Sequence, residues 1–296
     1  MASIIGAPAK SSGVEGGSNV LRIGKIFRVV VLGVVGLYFI VPVISSARFS
    51  FTGSSKGISL SAYSKLFSDP QFWTTLFLSV KIGIGTVILS LVVIIPTTVW
   101  VHWKAPKIRR VMEALSLLPL VIPSVVITLG VITSFGSLPN IIMGTPVILA
   151  LEYVVLALPY TYRTLDSAVQ ALDIKTLVEA GQSLGASLRK ILWWVLLPNL
   201  RSGVLGVVVL AFAFCLGEFA VASLLSFTTF AVYLVQIGQT QASEAIAFSL
   251  IALVFTWIPL SIVTVVFSRR AGKRYRRGGG VLVASQSITE LTELAE

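Results

Sequence analysis

Three ionisable side chains, Lys81, Glu152 and Glu218, stand inside stretches of sequence that are otherwise apolar. A charge in hydrocarbon is costly, so such positions line paths for solutes or hold one another as structural pairs. Counted along helices, each lies about six to eight residues, or roughly 9 to 12 Å, in from the outer end of its stretch. The shared depth predicts that they converge on a polar gate or translocation path in the outer half of a helical bundle. The alternatives are an ion pair between Lys81 and one glutamate, or Lys81 snorkelling to the interface. Two carboxylates against one ammonium make such a path mildly acidic, which suits a cationic solute.

Other residue types argue mostly by scarcity. His102 is the single histidine and sits in "WVHWK" at the inner edge of a stretch, so no histidine-rich metal site forms. Cys215 is the single cysteine. With no histidine placed to activate it, Cys215 reads as a small apolar side chain. A membrane-embedded aspartyl protease would need two facing carboxylates, and Glu152 with Glu218 is a poor version of that. The chain has no G-x-x-x-x-G-K-[ST] phosphate loop, so the sequence predicts no cofactor bound by this chain.

The elements that must position these residues are long and apolar. Of 296 residues, 55% are hydrophobic and 12% charged, and the mean hydropathy is +0.93, which predicts an all-α integral membrane protein. Crossing about 30 Å of hydrocarbon takes roughly 20 helical residues. Spans are expected at Ile26 to Ala47, Trp73 to Val101, Met112 to Ser134, Pro146 to Tyr162, Gly203 to Leu225 and Ala245 to Phe267. The runs are continuously apolar and do not alternate, which favours helices over a barrel. The prolines at 119, 123, 159 and 259 fall within spans as hinges or as tolerated kinks.

Charge sets the orientation. The net charge of +11 concentrates in segments of one side, including Lys104, Lys107, Arg109 and Arg110 and the tail residues Arg269, Arg270, Lys273 and Arg274. By the positive-inside rule both termini lie in the cytoplasm, and the basic charge is a topology signal rather than a nucleic-acid site. Residues 1–25 read as a disordered cytoplasmic arm, 26–267 as the transmembrane domain and 268–296 as a basic tail. The outer loop before the second span contains "LSAYSKLF", a candidate interfacial helix.

The inner loop, residues 163–201, is the most patterned. Asp173 is placed to cap a helix in which Ile174, Leu177, Val178, Gly181 and Leu184 share a face, and Gly185 to end it. A second amphipathic run puts Leu188, Ile191, Leu192 and Val195 together, with Arg189 and Lys190 off that face. Ala180 and Gly181 would let another backbone come close. Basic side chains and two tryptophans suit a lipid surface, and the same pattern suits a protein partner.

Within this loop Glu179, Ala180, Gly185, Val195, Leu197 and Pro198 resemble the EAA motif, EAA-x3-G-x9-I-x-LP, of permease subunits of binding-protein-dependent ABC importers. Gly181 stands where that family usually has Ala, and Val195 where it has Ile. "LPLVIPSVV", "LPYTYR" and "LGEFAVASLL" look like the same family, and the likeness runs from about Phe72 to Phe267. The resemblance implies the type I permease fold of six transmembrane helices with a cytoplasmic coupling helix. In it Glu179, Ala180, Gly181, Gly185, Leu197 and Pro198 couple to an ATPase. It further implies two ATP-binding subunits carrying ATP and Mg, a second and different permease subunit, an extracytoplasmic substrate-binding protein, and a bacterial inner membrane. The pattern around "GEF" looks most like polyamine permeases, with iron(III), thiamine and sulfate or molybdate permeases as near relatives. A channel or secondary transporter, working without an ATPase, is a nearer rival to the importer than a membrane enzyme is, and the EAA spacing argues against it.

Overall fold

The computed structural model describes residues 16–52, 59–137, 140–258 and Ser261, and among them all regular structure is helical. Two compact units divide the chain, residues 1–62 and 63–296. The first carries α1 (Gly16–Thr52), in which Phe27–Phe51 has a mean hydropathy of 2.4 and is long enough to cross a membrane. It starts inside the arm expected to be disordered, whose residues 1–15 lie outside the described residues.

After α2 (Ser61–Ser68), which crosses the unit boundary, the second unit runs α3 (Pro70–Lys104), α4 (Arg109–Val121), α5 (Ser124–Phe135), α6 (Asn140–Met143) and α7 (Val147–Gln170). Then come α8 (Ile174–Ser183), α9 (Leu188–Ile191), α10 (Leu197–Asn199), α11 (Arg201–Gly217), α12 (Ala220–Leu224), α13 (Phe230–Thr240) and α14 (Ala242–Ile258). Among the described residues two helices pass the length and apolarity needed to cross a membrane, or four if each of two bent pairs is one span. The sixth expected span is described only to Ile258, with Ser261.

The core is α3, α7 and α11 packed on one another. The buried face of α3 mixes apolar side chains such as Phe72, Ile82, Ile94 and Val101 with hydroxyl residues. The buried stripe of α3 carries Thr75, Ser79, Thr86, Ser90 and Thr98, whereas its exposed side carries Trp73, Phe77, Ile84, Ile88 and Val92. Lipid gives no hydrophobic reason to turn apolar side chains inward, so small and hydroxylated residues go to the helix contacts. Thr98 donates to the Ile94 carbonyl at 2.7 Å and Thr86 to the Ala150 carbonyl of α7 at 3.3 Å. At Gly203 of α11 a Cβ would stand 2.5 Å from the Ala168 Cβ of α7, so only glycine permits this approach. At the other end Phe72, Phe230, Tyr233 and Phe248 tie α3, α13 and α14 together. There the Tyr233 hydroxyl donates to Asp69, whose other oxygen caps α3 by accepting from the Gln71 amide at 2.8 Å.

Three expected spans need correction. The third is broken: Ile122 is extended (φ −91, ψ 123), and α4 with the turn before it meets α5 at 94°. Pro123 is the reason, since it offers no amide to the helix and disfavours helical backbone at the residue before it. The fourth continues to Gln170, so residues 163–170 of the expected loop are helix. The fifth ends at Gly217, with Glu218 extended (φ −79, ψ 115) and α12 after it, and it is entered through a 78° bend after Asn199.

Candidate functional site

The patterned loop folds as two arms around a glycine turn. Asp173 caps α8: its carboxylate accepts from the Thr176 amide at 3.2 Å and the Thr176 hydroxyl at 2.6 Å. These bonds, the hydroxyl foremost, hold the Asp173 carboxyl below the usual aspartate range. Ile174 and Val178 are buried and fix α8 to the core. Gly185, at φ +78, ends the helix, with its own amide donating to the Gln182 carbonyl and the Ala186 amide to that of Gly181. That pair of bonds satisfies the last carbonyls of α8 in a conformation that glycine adopts without strain.

The outer face of α8 is free. Glu179 and Ala180 are exposed, and Glu179 pairs only loosely with Lys175 at 3.9 Å. Leu184 is 87% exposed beside them, not on the buried face that helical spacing gave it, because α8 ends at Ser183 and Leu184 sits at the turn. Gly181 does not open a gap for another backbone. A Cβ there would lie 2.8 Å from the Ile191 side chain, so the glycine lets the second arm fold back on the first.

The second arm, Leu188–Asn199, contains a π-type stretch at Leu192–Leu196, where the Leu197 amide donates five residues back to Leu192. The extra residue per turn moves the buried face: Ile191 and Leu196, five apart, are each 1% exposed, while Leu188 is exposed and Leu192 and Val195 are half-buried. The regular spacing expected from the sequence therefore fails in this arm. Leu197 is half-buried against the core, and Pro198 is exposed just before the bend into α11. The EAA-like residues thus divide into an exposed pair (Glu179, Ala180), a folding pair (Gly181, Gly185) and a hinge-side pair (Leu197, Pro198).

The three expected intramembrane charges do not form one site. Glu152 is buried, with one carboxylate oxygen accepting from the Thr128 hydroxyl of α5 at 2.5 Å and the other unpartnered. Glu218 lies within electrostatic range of it, and its carboxylate accepts from the Val221 amide at 3.2 Å, which caps α12. Lys81 is exposed, beside the buried Ile82 on α3, and makes no ion pair among the described residues. The two carboxylates are within electrostatic range of each other, whereas Lys81 stands on the exposed side of α3, away from them. Buried beside Glu152 is Tyr153, whose hydroxyl has no partner and whose ring packs edge-on to Phe214. Cys215 is a buried free thiol in the same cluster.

A second polar cluster escaped the sequence. Buried Asp166 of α7 lies 3.3 Å from His102 of α3 and 3.5 Å from Arg109 of α4, and accepts from Gln170 at 2.5 Å. Its partners His102, Arg109 and Gln170 line a pocket of about 310 Å³ with Asp173 and Lys175, at the root of α8. The available signal was Tyr162, Asp166 and Gln170 at spacings of four, which marks a helix face running past the expected end of the span. Among the described residues no group of histidine, cysteine, aspartate or glutamate could hold a metal.

Comparison with known proteins places this geometry. The chain is 34% identical over 164 residues to the molybdenum transport system permease proteins of Mycobacterium bovis and Mycobacterium tuberculosis, covering 52% of this chain and 62% of each relative. The chain therefore spans less than two thirds of those relatives. It is 31% identical over 104 residues to the ferric transport system permease protein of Actinobacillus pleuropneumoniae, 35% of this chain and 15% of that one. A bacterial ABC transporter involved in the import of the acidic polysaccharide alginate has the same fold, with a TM-score of 0.62 at 19% identity over 89% of this chain and 99% of that one. A bacterial alginate ABC transporter in complex with an alginate-bound periplasmic protein matches with a TM-score of 0.61 at 14% identity, over 84% and 94% of the two chains. Residues 95–277, more than half of the chain and including both arms of the loop, match the family of binding-protein-dependent transport system inner membrane components, and this chain belongs to it.

Proposed function

We propose that the chain is the permease subunit of an ATP-driven importer and that α8 is its coupling helix, docking through Glu179, Ala180 and the projecting Leu184 onto a cytoplasmic ATPase. The observation that carries this is the exposed outer face of a helix whose inner face packs on the core and whose ends are fixed by the Asp173 cap and the Gly185 turn. A rigid arm of this kind passes a push into the spans, because α8 packs on α3 and its root borders the cluster that joins α3, α4 and α7. The basic residues of the loop favour its placement in the cytoplasm, with both termini on that side.

A six-span subunit lines half a pore, so the assembly takes a second permease chain, a different one in preference to a second copy of this chain, with two ATPase subunits and an extracytoplasmic binding protein. ATP and Mg belong to the ATPases. Glu152 and Glu218 are the path candidates, with Glu152 buried at the joint of α5 and α7. Lys81 is better read as a snorkelling surface residue.

For the substrate, the relatives favour the alternatives over the expected polyamine: they are named for molybdenum and ferric transport. We therefore assign the solute to the metal-oxyanion or iron class. The test is uptake into proteoliposomes holding the whole assembly. ATP-dependent uptake of molybdate or a ferric complex, unaffected by excess spermidine, supports the assignment. Spermidine uptake restores the polyamine reading, and gradient-driven uptake without ATPase overturns the importer.

A further inference from the structure

The same loop presents two outer surfaces of different chemistry, and an ATPase dock accounts for one of them. On the second arm Trp193 and Trp194 are 65% and 82% exposed, next to exposed Arg189 and Lys190. Neither cation is in an ion pair among the described residues. From Ala180 to Gly217 the sequence contains no aspartate or glutamate. The arm also changes direction by 78° before α11. If α11 crosses the bilayer, an arm at nearly a right angle to it runs along the membrane surface.

We propose that the Leu188–Asn199 arm is a membrane anchor that seats Trp193 and Trp194 in the headgroup layer and binds anionic lipid through Arg189 and Lys190. Indole rings with an apolar body and a polar N–H favour the headgroup level, and basic side chains draw anionic headgroups. The π-type stretch serves this arrangement. It turns Ile191 and Leu196, five residues apart, together into the core, which regular helical spacing would not do, and the two adjacent tryptophans stay outside. The loop then has a division of labour: α8 meets the ATPase, while the second arm holds the level of the membrane against which α8 is pushed. The proposal rests on the membrane reading of the chain and on α8, not the second arm, carrying the ATPase.

The test uses the purified assembly in vesicles of phosphatidylcholine mixed with phosphatidylglycerol, one lipid or the other carrying bromine near the headgroup end of its chains. Tryptophan emission is compared between the native chain and a W193F/W194F variant, so that the difference reports these two residues. The expected result is that bromine quenches this difference signal, and more so on phosphatidylglycerol. Each basic side chain contributes a local preference of about fivefold, which the R189Q/K190Q variant abolishes. ATPase recovery with that variant stays unchanged. An unquenched difference signal, equal quenching by both lipids, or loss of the ATPase from R189Q/K190Q overturns the anchor. Loss of the ATPase from E179R alone concerns α8, so failure of the coupling reading and failure of the anchor give different patterns.

Discussion

Glu152 shows what a buried polar residue in a permease demands of its neighbours. Thr128 supplies its one hydrogen-bond contact, from a helix set by the break at Pro123. Thr128→Val should leave the carboxyl without a partner and lower stability by about 1 to 3 kcal/mol, with Thr128→Ser recovering most of it, as read from thermal unfolding in detergent. Asp173 makes a different test. Its folded-state pKa is lowered, so its cap is complete above the ordinary aspartate value and is lost as pH falls through the lowered one. Amide exchange at the start of α8, corrected for intrinsic rates, should therefore stay protected down to about pH 4 and below, and fray at neutral pH in Asp173→Ala. Both Asp173 and Gly185 were legible in the sequence, because capping is a local matter of residue type and spacing. Lys81 was not, because depth along a span can be counted from its end while its direction around the helix depends on which face the neighbours cover.

At the scale of elements, α7 and α11 depend on a contact with no slack. Gly203→Val should force the Ala168 side of α7 away and cost about 1 to 3 kcal/mol or more, and Ala168→Gly in the same chain should recover part of the loss. Thermal unfolding of the two single variants and the double variant measures that coupling. Hydropathy located α1, α3 and the start of α7, since length and apolarity are summed over many residues. It did not see the 94° break at Ile122–Pro123 or the 78° bend after Asn199, because a run can stay apolar while its path turns. Pro123 carried the signal, but a proline in a span fits a kink or plain tolerance equally until its neighbours are known. The π-type stretch at Leu192–Leu196 left no trace in composition at all, and it displaced the buried face by one residue.

At the scale of the whole molecule, fold and family follow from the apolar spans and the loop motif together, whereas the solute does not, because its recognition depends on how side chains from separate helices are brought together. The charge cluster of His102, Arg109 and Asp166 is likewise a product of assembly: its members stand on three helices, and Asp166, more than fifty residues on from the other two, meets them only when the bundle closes. The central claim is that α8 passes force between a separate ATPase and these spans. The most direct test is gentle extraction of the tagged chain from its native membrane, with mass spectrometry of what accompanies it, for the native chain and Glu179→Arg. Glu179 is exposed and held only by a loose pair, so the variant should fold with a stability within about 0.5 kcal/mol of the native chain. Recovery of an ATPase and a second permease with the native chain, and loss of the ATPase alone from the variant, is the predicted result. A native chain that comes out unaccompanied, or a variant that keeps the ATPase at the native level, would contradict the account.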